Sequence, residues 1–290
     1  MLSTELTDLA DRLSAKLREG APARESIGDT VVAFGWSEGL PPIVARFVES
    51  ARIDGLTFDY VRIGASATPA TKVAEGVAKP AAVTLTSGTL TLPKYAGLAE
   101  FTLEKALSTT ALLPALQATI VNQCLVAYDA DAVAILATDA GETVTGATWT
   151  AAILNGIAAV ASNGQNPSLL VLSPADYAAA VQDPGAAFSS DPANGLVALF
   201  GLTIAVVVGA PTGTGYVMDA RAAVAVENAH SPMVLLDPYS KADTNTARLI
   251  AELVASFVVT QPAGVAKISL TVAGARGGGG AKRSDFALGA

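Results

Sequence analysis

The sequence predicts an α+β protein, and three patterns support this fold class. Apolar residues follow a helical spacing from about Leu116 to Ala132. After that segment, helix, strand and helix patterns alternate, which is typical of an α/β layer. Near the end of the chain, every second residue of 249–259 is apolar, which predicts a long half-buried strand. A chain of 290 residues is compatible with one elaborate domain or with two linked domains.

The composition indicates that other protein covers part of the surface. Only 15% of the residues are charged and 51% are hydrophobic, whereas an average soluble domain has about 25% charged residues. The uncharged segment 195–218 approaches the length of a membrane span. Its glycines, Pro211 and a β-branched run predict buried strands instead. No signal peptide is predicted at the start, because LSTELTDLADRL contains acids where an apolar segment is required. We therefore expect an assembly and no membrane partner.

Charge is distributed unevenly along the chain. The net charge is −8, and residues 106–220 contain eight acids but no Lys or Arg. A segment without Lys or Arg cannot neutralise phosphates, which excludes a nucleic-acid binding surface formed by this region. The flanking parts carry 18 bases and 18 acids. Such a balance suits contacts between subunits, where both signs fix the register.

The N-terminal part predicts two elements. Leucines spaced by three and four residues over 2–19 predict a short amphipathic helix. Glycine, proline and scattered acids interrupt any pattern over 20–42. We expect this segment to form an extended arm, with Phe34 and Trp36 as its anchors.

A long β-arm is expected next. Residues 56–63 and 83–92 predict its two strands. The apolar positions of the second strand change from odd to even numbers across Ser87-Gly88, which predicts a bulge or kink. The stretch TKVAEGVAKPAAV (71–83) forms the far end of the arm.

The middle of the chain predicts the long helix and an α/β layer. Ser108 or Thr109 is the expected N-cap of the long helix. A second helix ends at Ser162-Asn163-Gly164, and SLLVLS then forms a buried strand. Ser173 caps the following helix, with Pro174 at its first position.

The remaining segments predict strands and a tail. The last two strands are expected to pair with each other through the turn 261–264, and the tail 273–290 is flexible by composition. The predicted strands cover residues 202–208, 216–219, 222–226, 249–259 and 265–272.

Candidate catalytic and metal-binding residues are few. His230 is the only histidine and has no second His or Cys at metal-ligand spacing, so we interpret it as a loop residue. The sequence Gly213-Thr214-Gly215 lacks the Lys of a phosphate-binding loop and predicts a hairpin turn. Asp129 and Asp131 point to different faces of a helix and are expected to be solvated. Cys124 is alone, which favours a small core residue. We expect no catalysis, cofactor or metal; an enzyme built from scattered polar residues is the less favoured alternative.

Three stretches, in this order, resemble the major capsid proteins of tailed bacteriophages, which have the Hong Kong 97 fold. They are TKVAEGVAKPAAVTLTSGTLTLPKYA, then EFTLEKALSTTALLPALQATIVNQCLVAYDADAVAIL, and finally SLLVLSPADYAAAVQ with LFGLTIAVVVGAP. In that family these stretches correspond to the extended E-loop, the long spine helix of the peripheral domain and the axial α/β domain. Many members also have a long N-terminal scaffolding region. Its lack here implies removal by a protease or the use of a separate scaffold protein.

The resemblance also implies a domain organisation. In the family, separate parts of the chain form the peripheral domain, and the last two strands return to it. The implied segments are an N-terminal helix and arm (1–50), the E-loop β-hairpin (51–97), the peripheral domain with the spine helix (98–140), the axial domain (141–235), peripheral-domain strands (236–272) and a flexible C-terminal tail (273–290).

The function implied by the resemblance is self-assembly. Pentamers and hexamers would form an icosahedral shell around double-stranded DNA, which the protein would contact non-specifically. The implied partners are further copies, a scaffold or maturation protease, and a portal. The implied location is the virion, after assembly in the cytoplasm of a bacterial host. The alternative is an encapsulin-type nanocompartment, which has the same fold but stores cargo enzymes.

The resemblance places intersubunit contacts at the tip of the E-loop. The contact residues are Lys72, Glu75, Gly76 and Lys79. Some family members crosslink an E-loop lysine to an asparagine of a neighbour, for which Asn228 and Asn245 are the candidate acceptors. The alternative is a set of ordinary ion pairs, each contributing about 1 kcal/mol or less where exposed. In an isolated subunit, this tip (71–83) is expected to project from the body without support.

Overall fold

The computed structural model describes residues 31–33, 43–65, 72–73, 75, 77–78, 83–102, 104–105, 112–191, 196–241 and 244–271. The predicted N-terminal helix, Phe34, Trp36, the two candidate N-caps at 108 and 109, and the C-terminal tail lie outside these residues. Three α-helices in the described ranges frame the fold: α1 (Leu112–Asp139), α2 (Trp149–Ser162) and α3 (Pro174–Gln182).

Fifteen strands in the same ranges complete the fold. In chain order they are β1 (Val31–Ala33), β2 (Glu49–Ile53), β3 (Thr57–Ala65), β4 (Val83–Thr91), β5 (Lys94–Thr102), β6 (Glu142–Gly146), β7 (Leu169–Leu172), β8 (Phe188–Asp191), β9 (Leu196–Leu199), β10 (Leu202–Val206), β11 (Thr214–Met218), β12 (Ala223–Asn228), β13 (Met233–Lys241), β14 (Thr246–Val259) and β15 (Val265–Leu270). The uncharged segment 195–218 therefore contains strands, as predicted.

The first sheet is organised around the long strand β14. It pairs antiparallel with β13, β12 and β5, while β1 extends the sheet beside β13 and β2 extends it beside β12. Helix α1 packs across this sheet. Gly97 of β5 permits the close approach, because a Cβ there would lie 2.5 Å from Ile120 Cγ2. The predicted alternation of β14 is confirmed, since its odd-numbered residues face the buried side.

The predicted period-four pattern of α1 is confirmed as its buried face. Ile120, Cys124, Tyr128 and Ala132 all lie in the core. Burial raises the pKa of the Cys124 thiol, as expected for a small core residue. By length and composition, α1 is the one helix in the described chain apolar enough to cross a membrane. A core helix passes the same test, and the packing of α1 on β14 accounts for its apolar residues.

The second sheet has seven strands in the order β6-β15-β11-β7-β10-β9-β8. Strand β7 lies inside it, parallel to β10 and antiparallel to β11. Leu169 and Val171 belong to the core beneath α1, whereas Leu170 and Leu172 belong to the core beneath α2. Both faces of β7 are therefore covered, which explains its uninterrupted apolar sequence.

The predicted start of α3 is also confirmed. The Ser173 hydroxyl oxygen accepts a hydrogen bond from the Asp176 backbone N–H at 3.1 Å. Pro174 occupies the first turn, where its missing N–H removes no helical hydrogen bond. Local sequence signals were sufficient here because donor and acceptor are only three residues apart.

The predicted pairing between the last two strands is wrong. β15 pairs antiparallel with β11 and parallel with β6, both in the second sheet. β14 already pairs with other strands along its length: with β13 over residues 246–252, with β5 over residues 246–254 and with β12 over residues 255–259. The turn Pro262–Gly264 instead directs the chain to the second sheet, where the Gly264 carbonyl accepts from the Asp219 N–H at 2.9 Å.

Candidate assembly surface

The β-arm is a regular two-stranded hairpin formed by β3 and β4. Nine residue pairs run from Thr57 opposite Thr91 to Ala65 opposite Val83 without a shift in register. The predicted bulge at Ser87-Gly88 is therefore wrong. A Cβ at Gly88 would lie 2.7 Å from the Tyr60 ring, so the glycine makes room for the aromatic side chain on the neighbouring strand.

The change of apolar phase along β4 reflects the use of two faces. At the base of the hairpin, Leu90 and Leu92 pack with Phe58 and Tyr60 against residues of β12 and β14, including Val226. Farther along, the apolar side chains lie on the opposite face, away from this cluster. The two halves of β4 thus meet different surroundings.

This second face carries an exposed apolar patch, which we call the distal patch. Its members are large apolar side chains with 38–70% of their surface exposed: Val61, Ile63, Val83 and Leu85. The register places Ile63 directly opposite Leu85, and Val83 follows two residues away on the same face. A contiguous apolar patch of this kind is a common mark of a protein-protein contact.

The body of the subunit supports the base and middle of the arm. An Arg62 guanidinium nitrogen lies 2.6 Å from an Asp139 carboxylate oxygen at the end of α1. The Ile63 backbone N–H donates to the Thr260 carbonyl at 2.7 Å. These contacts orient the hairpin on the body of the subunit and leave the distal patch uncovered.

The prediction that Asp129 is solvated is wrong. Its side chain is buried, and its two carboxylate oxygens accept from the backbone N–H groups of Ile43 at 2.9 Å and Val44 at 3.0 Å. Burial raises the pKa of Asp129, and the two backbone hydrogen bonds oppose this rise. Asp129 therefore fixes the segment that leads into β2 and the hairpin. The partners are 85 and 86 residues apart, so no local pattern could have revealed the contact.

Asp131 is exposed, as predicted, but it also has a partner. Its carboxylate accepts from the Tyr95 hydroxyl at 2.9 Å. Burial raises the pKa of Tyr95, and the hydrogen bond to Asp131 adds to the rise. The Tyr95 ring in turn packs edge-on against Tyr128 at a centroid distance of 6.0 Å. Two acids of α1, Asp129 and Asp131, therefore hold the segments on either side of the hairpin, and a third, Asp139, holds the hairpin itself through Arg62.

The predicted contact residues are described only in part. Lys72 and Glu75 are exposed, whereas Gly76 and Lys79 lie outside the described residues. The Asn228 amide nitrogen donates to the Gly55 carbonyl at 3.0 Å, which ties the turn before β3 to the end of β12. The Asn245 amide nitrogen donates to Glu104 at 3.1 Å, and Asn245 is exposed at the surface.

The residues that were considered for metal or phosphate binding have structural roles. His230 lies in a turn, where its backbone N–H donates to Asn228 Oδ1. The predicted hairpin at 213–215 is wrong, because β7 separates β10 from β11. Gly213 instead adopts a positive φ of 76°, and its N–H donates to both carboxylate oxygens of Asp176. No group of three or more potential metal ligands occurs in the part of the chain that the structure describes.

These features define a class of protein: a mixed α+β subunit with an oriented hairpin and an exposed contact patch. The sequence profile of the family described as Phage capsid protein matches residues 86–268. The chain belongs to this family. Among curated proteins, none matches the sequence.

Solved structures share the fold over most of the chain. A structure from Mycobacterium phage Cain is 15% identical with a TM-score of 0.62, and 86% of this chain and 96% of that chain are covered. A structure from Microbacterium phage Oxtober96 is 11% identical with a TM-score of 0.60, and the two coverages are 88% and 98%. The fold is that of the Hong Kong 97-like phage capsid proteins, as the sequence resemblance implied. The protein is accordingly a structural, non-catalytic capsid subunit, and the alternative of a soluble enzyme is not supported.

A third structure is described as a virus-like particle from Pyrococcus furiosus. It is 10% identical with a TM-score of 0.57, and 89% of this chain and 98% of that chain are covered. At these identities the likeness concerns the fold alone.

Proposed function

We propose that this protein is a major capsid protein that self-assembles into pentamers and hexamers of an icosahedral shell enclosing double-stranded DNA. The observation that carries the proposal is the distal patch, an apolar surface on a hairpin that the body of the subunit orients but does not cover. Copies of the same chain supply a partner in every capsomer of a closed shell.

The first experiment is electron microscopy of the purified, full-length protein. The proposal predicts closed particles, or pentamers and hexamers that close on addition of a scaffold protein. A protein that remains monomeric at high concentration, with and without scaffold, would refute it. Nuclease-protected double-stranded DNA in particles from infected cells is the expected cargo.

The tip of the hairpin is proposed to contact a neighbouring subunit. Lys72 and Glu75 are exposed and carry opposite charges, which suits a register-fixing contact. Gly76 and Lys79 belong to the same predicted set. Exchanging the two charges, as in Lys72→Glu with Glu75→Lys, is expected to weaken assembly more than to change the stability of the free subunit. Sedimentation of both forms measures the two effects separately.

An isopeptide bond between Nζ of Lys72 or Lys79 and the side-chain carbonyl carbon of a neighbour's asparagine remains part of the proposal. The bond forms as the C–N bond of the asparagine side-chain amide breaks and ammonia leaves. Both candidate acceptors already donate a hydrogen bond from the side-chain amide, Asn245 to Glu104 and Asn228 to the Gly55 carbonyl, but Asn245 is the more exposed of the two. Particles boiled in detergent are expected to give multimer bands that disappear in Asn245→Ala. A monomer band alone would leave ordinary ion pairs as the contact.

The domain organisation is proposed with two changes. Residues 98–140 form the peripheral domain together with β14, because α1 packs on this strand, and β12 joins it because it pairs with β14. The rest of 141–235 forms the axial domain, and β15 joins it because its two partners are β6 and β11. The segments 1–50, 51–97 and 273–290 keep their proposed roles as N-terminal arm, E-loop and tail.

The remaining proposed partners are DNA, a scaffold or maturation protease, and a portal. The protein would contact DNA non-specifically, and the absence of Lys and Arg from residues 106–220 supports weak adhesion. The proposed location is the virion, after assembly in the cytoplasm of the host.

A nanocompartment shell is the second candidate. The observation that favours it is the likeness to the virus-like particle from Pyrococcus furiosus. Particles purified from the native source distinguish the two functions. Double-stranded DNA inside them supports the capsid, whereas a folded cargo protein and no DNA supports the compartment.

A further inference from the structure

A surface crevice of about 330 Å³ lies between α1 and the link that joins the hairpin to β5. Residues of this link and of β5, of β14 and of the C-terminal part of α1 line it. The lining residues are Pro93, Tyr95, Asp131, Ala134, Ile135, Thr138, Asp139 and Ser256. Pro93 and Ala134 are exposed, so the crevice is open to solvent.

The crevice is apolar in its middle and acidic at its two ends. Ala134 and Ile135 lie midway between Asp131 and Asp139, whose positions on α1 are about 12 Å apart at the helical rise per residue. Pro93 adds a further apolar surface. An occupant of matching chemistry therefore combines an apolar side chain with a cation a few residues away.

The two acids differ in how their charge is balanced. Asp139 binds the Arg62 guanidinium at 2.6 Å. Asp131 accepts a hydrogen bond from the neutral Tyr95 hydroxyl, and no ion pair joins it to a Lys or Arg of the described residues. Lys94, next to Tyr95 on β5, is engaged with Glu252 at 2.6 Å. The Asp131 end of the crevice is therefore the end that can accept a cation.

Among the segments outside the described residues, one combines an aromatic side chain with cations. Residues 1–30 contain no Phe, Tyr or Trp, and residues 34–42 contain two aromatic residues but no Lys or Arg. The shorter segments contain no aromatic residue. The C-terminal tail (273–290) has both, and its relevant residues are Lys282, Arg283 and Phe286. The composition of the tail thus matches the crevice.

The tail is long enough to reach the crevice of its own chain. The Thr271 N–H donates to the Gly146 carbonyl at 2.8 Å, and the tail leaves the second sheet from there. The other end of β15 lies beside the end of α1, since the Gly141 N–H donates to the Val265 carbonyl at 3.1 Å. The path back along β15 and α1 to the middle of the crevice is about 30 Å at the rises of strand and helix. Residues 272–285 span up to about 46 Å when extended.

We propose that the C-terminal tail folds back onto the crevice of its own chain. Phe286 then packs on Ala134 and Ile135. Arg283, three residues earlier in the sequence, pairs with the Asp131 carboxylate. Burial of the aromatic ring supplies the larger part of the attraction, because an exposed ion pair adds little. The proposal goes beyond the shell function and concerns the free subunit, so it does not depend on assembly.

The docked tail would support the base of the hairpin. Asp139 both lines the crevice and binds Arg62 of β3. Filling the space between α1 and the link at Pro93 would restrict the movement of the hairpin on the subunit.

Intramolecular crosslinking of the free, full-length subunit tests the docking. The test protein carries Ala134→Cys in the crevice and Ala287→Cys in the tail. The matched control combines Leu154→Cys with Ala287→Cys. Leu154 is 46% exposed and lies on α2, close to the point where the tail leaves the second sheet. A tail that samples positions at random therefore reaches Leu154 more easily than Ala134.

Both proteins are treated at low concentration with a short bismaleimide and digested, and the crosslinked peptides are quantified by mass spectrometry. Cys124 is buried, so it adds little background. Maleimide labelling of Ala134→Cys alone, with and without Phe286→Ala, gives a second measurement that needs no cysteine in the tail.

The expected result is a crosslink that forms faster at Ala134 than at Leu154. Phe286→Ala should slow it about fivefold, because the ring supplies most of the attraction, and should speed the labelling of Ala134→Cys. Arg283→Glu should also slow the crosslink, and its combination with Asp131→Arg should restore the rate by exchanging the two charges.

Equal or faster crosslinking at Leu154, with labelling of Ala134→Cys unchanged by Phe286→Ala, would overturn the proposal. Crosslinks between two chains in place of intramolecular ones would also overturn it, because the tail would then occupy a second copy. These measurements involve no particles, so either result leaves the proposed shell function standing. Failure of the unsubstituted protein to form particles would count against that function and not against the docking.

Discussion

Strands β7 and β4 differ in how their side chains avoid water. The four side chains of β7 are covered on both faces by the cores beneath α1 and α2. In β4, the side chains of residues 83–87 are all exposed, although Val83 and Leu85 are as apolar as the residues of β7. The uncharged strand β7 is thus buried within its own subunit, whereas the equally uncharged strand β4 leaves these side chains exposed to solvent. We attribute the difference to the proposed assembly, in which a neighbouring copy covers β4.

Replacing one large apolar side chain by alanine in each strand should give the largest difference in stability between β7 and β4. Leu170→Ala leaves a cavity in a fully buried site and is expected to lower the free energy of unfolding by about 2–5 kcal/mol. Leu85→Ala should change the stability of the free subunit by no more than about 0.5 kcal/mol, because the side chain is exposed. Urea unfolding of unassembled protein measures both. Equal losses in the two variants would contradict the comparison.

Asp129 connects the core to the segment that precedes the hairpin. In Asp129→Asn, one carboxylate oxygen becomes an NH₂ group facing a backbone N–H, so at least one buried donor loses its acceptor. We expect a loss of about 1–3 kcal/mol in the free energy of unfolding. Asp131→Asn is the matched control, since the amide oxygen can still accept from Tyr95. A similar loss in both variants would show that the helix tolerates neither change, contrary to this account.

The pH dependence of the Asp129 effect follows from its raised pKa. The folded protein holds this proton more tightly than the unfolded chain. Protonation of Asp129 therefore adds to the free energy of unfolding at acidic pH, and this contribution is lost as the pH rises through the raised pKa. Asp129→Asn removes this titration. The stability difference between wild type and variant should therefore narrow from about pH 4 upward, as the pH passes through the raised pKa of Asp129. The lowered pKa values of Glu100 and Asp183 affect both proteins and cancel in the difference.

Arg62 tests the support of the hairpin with a smaller expected effect. Its ion pair with Asp139 is partly exposed, so Arg62→Ala should cost about 1 kcal/mol or less in the stability of the subunit. The amide of Ile63, which donates to Thr260, should exchange its hydrogen faster in the variant. Exchange within β7 should stay unchanged, and a uniform acceleration would point to global destabilisation instead.

Local patterns predicted α1, α2, α3 and β7, because caps and periodic apolar residues lie within a few positions of one another. The burial of Asp129 was missed, since its partners lie 85 and 86 residues away. The pairing of β15 was missed because a short turn favours a hairpin, while the occupied edges of β14 are a property of the whole sheet. The apolar phase change in β4 was assigned to a bulge. It in fact separates residues that pack on their own subunit from residues that face outward.

A structure of the assembled particle by electron microscopy tests the central claim most directly. The account predicts that Val61, Ile63, Val83 and Leu85 become buried against a neighbouring copy. A closed particle in which the distal patch still faces solvent would contradict the claim that assembly covers this face of the hairpin.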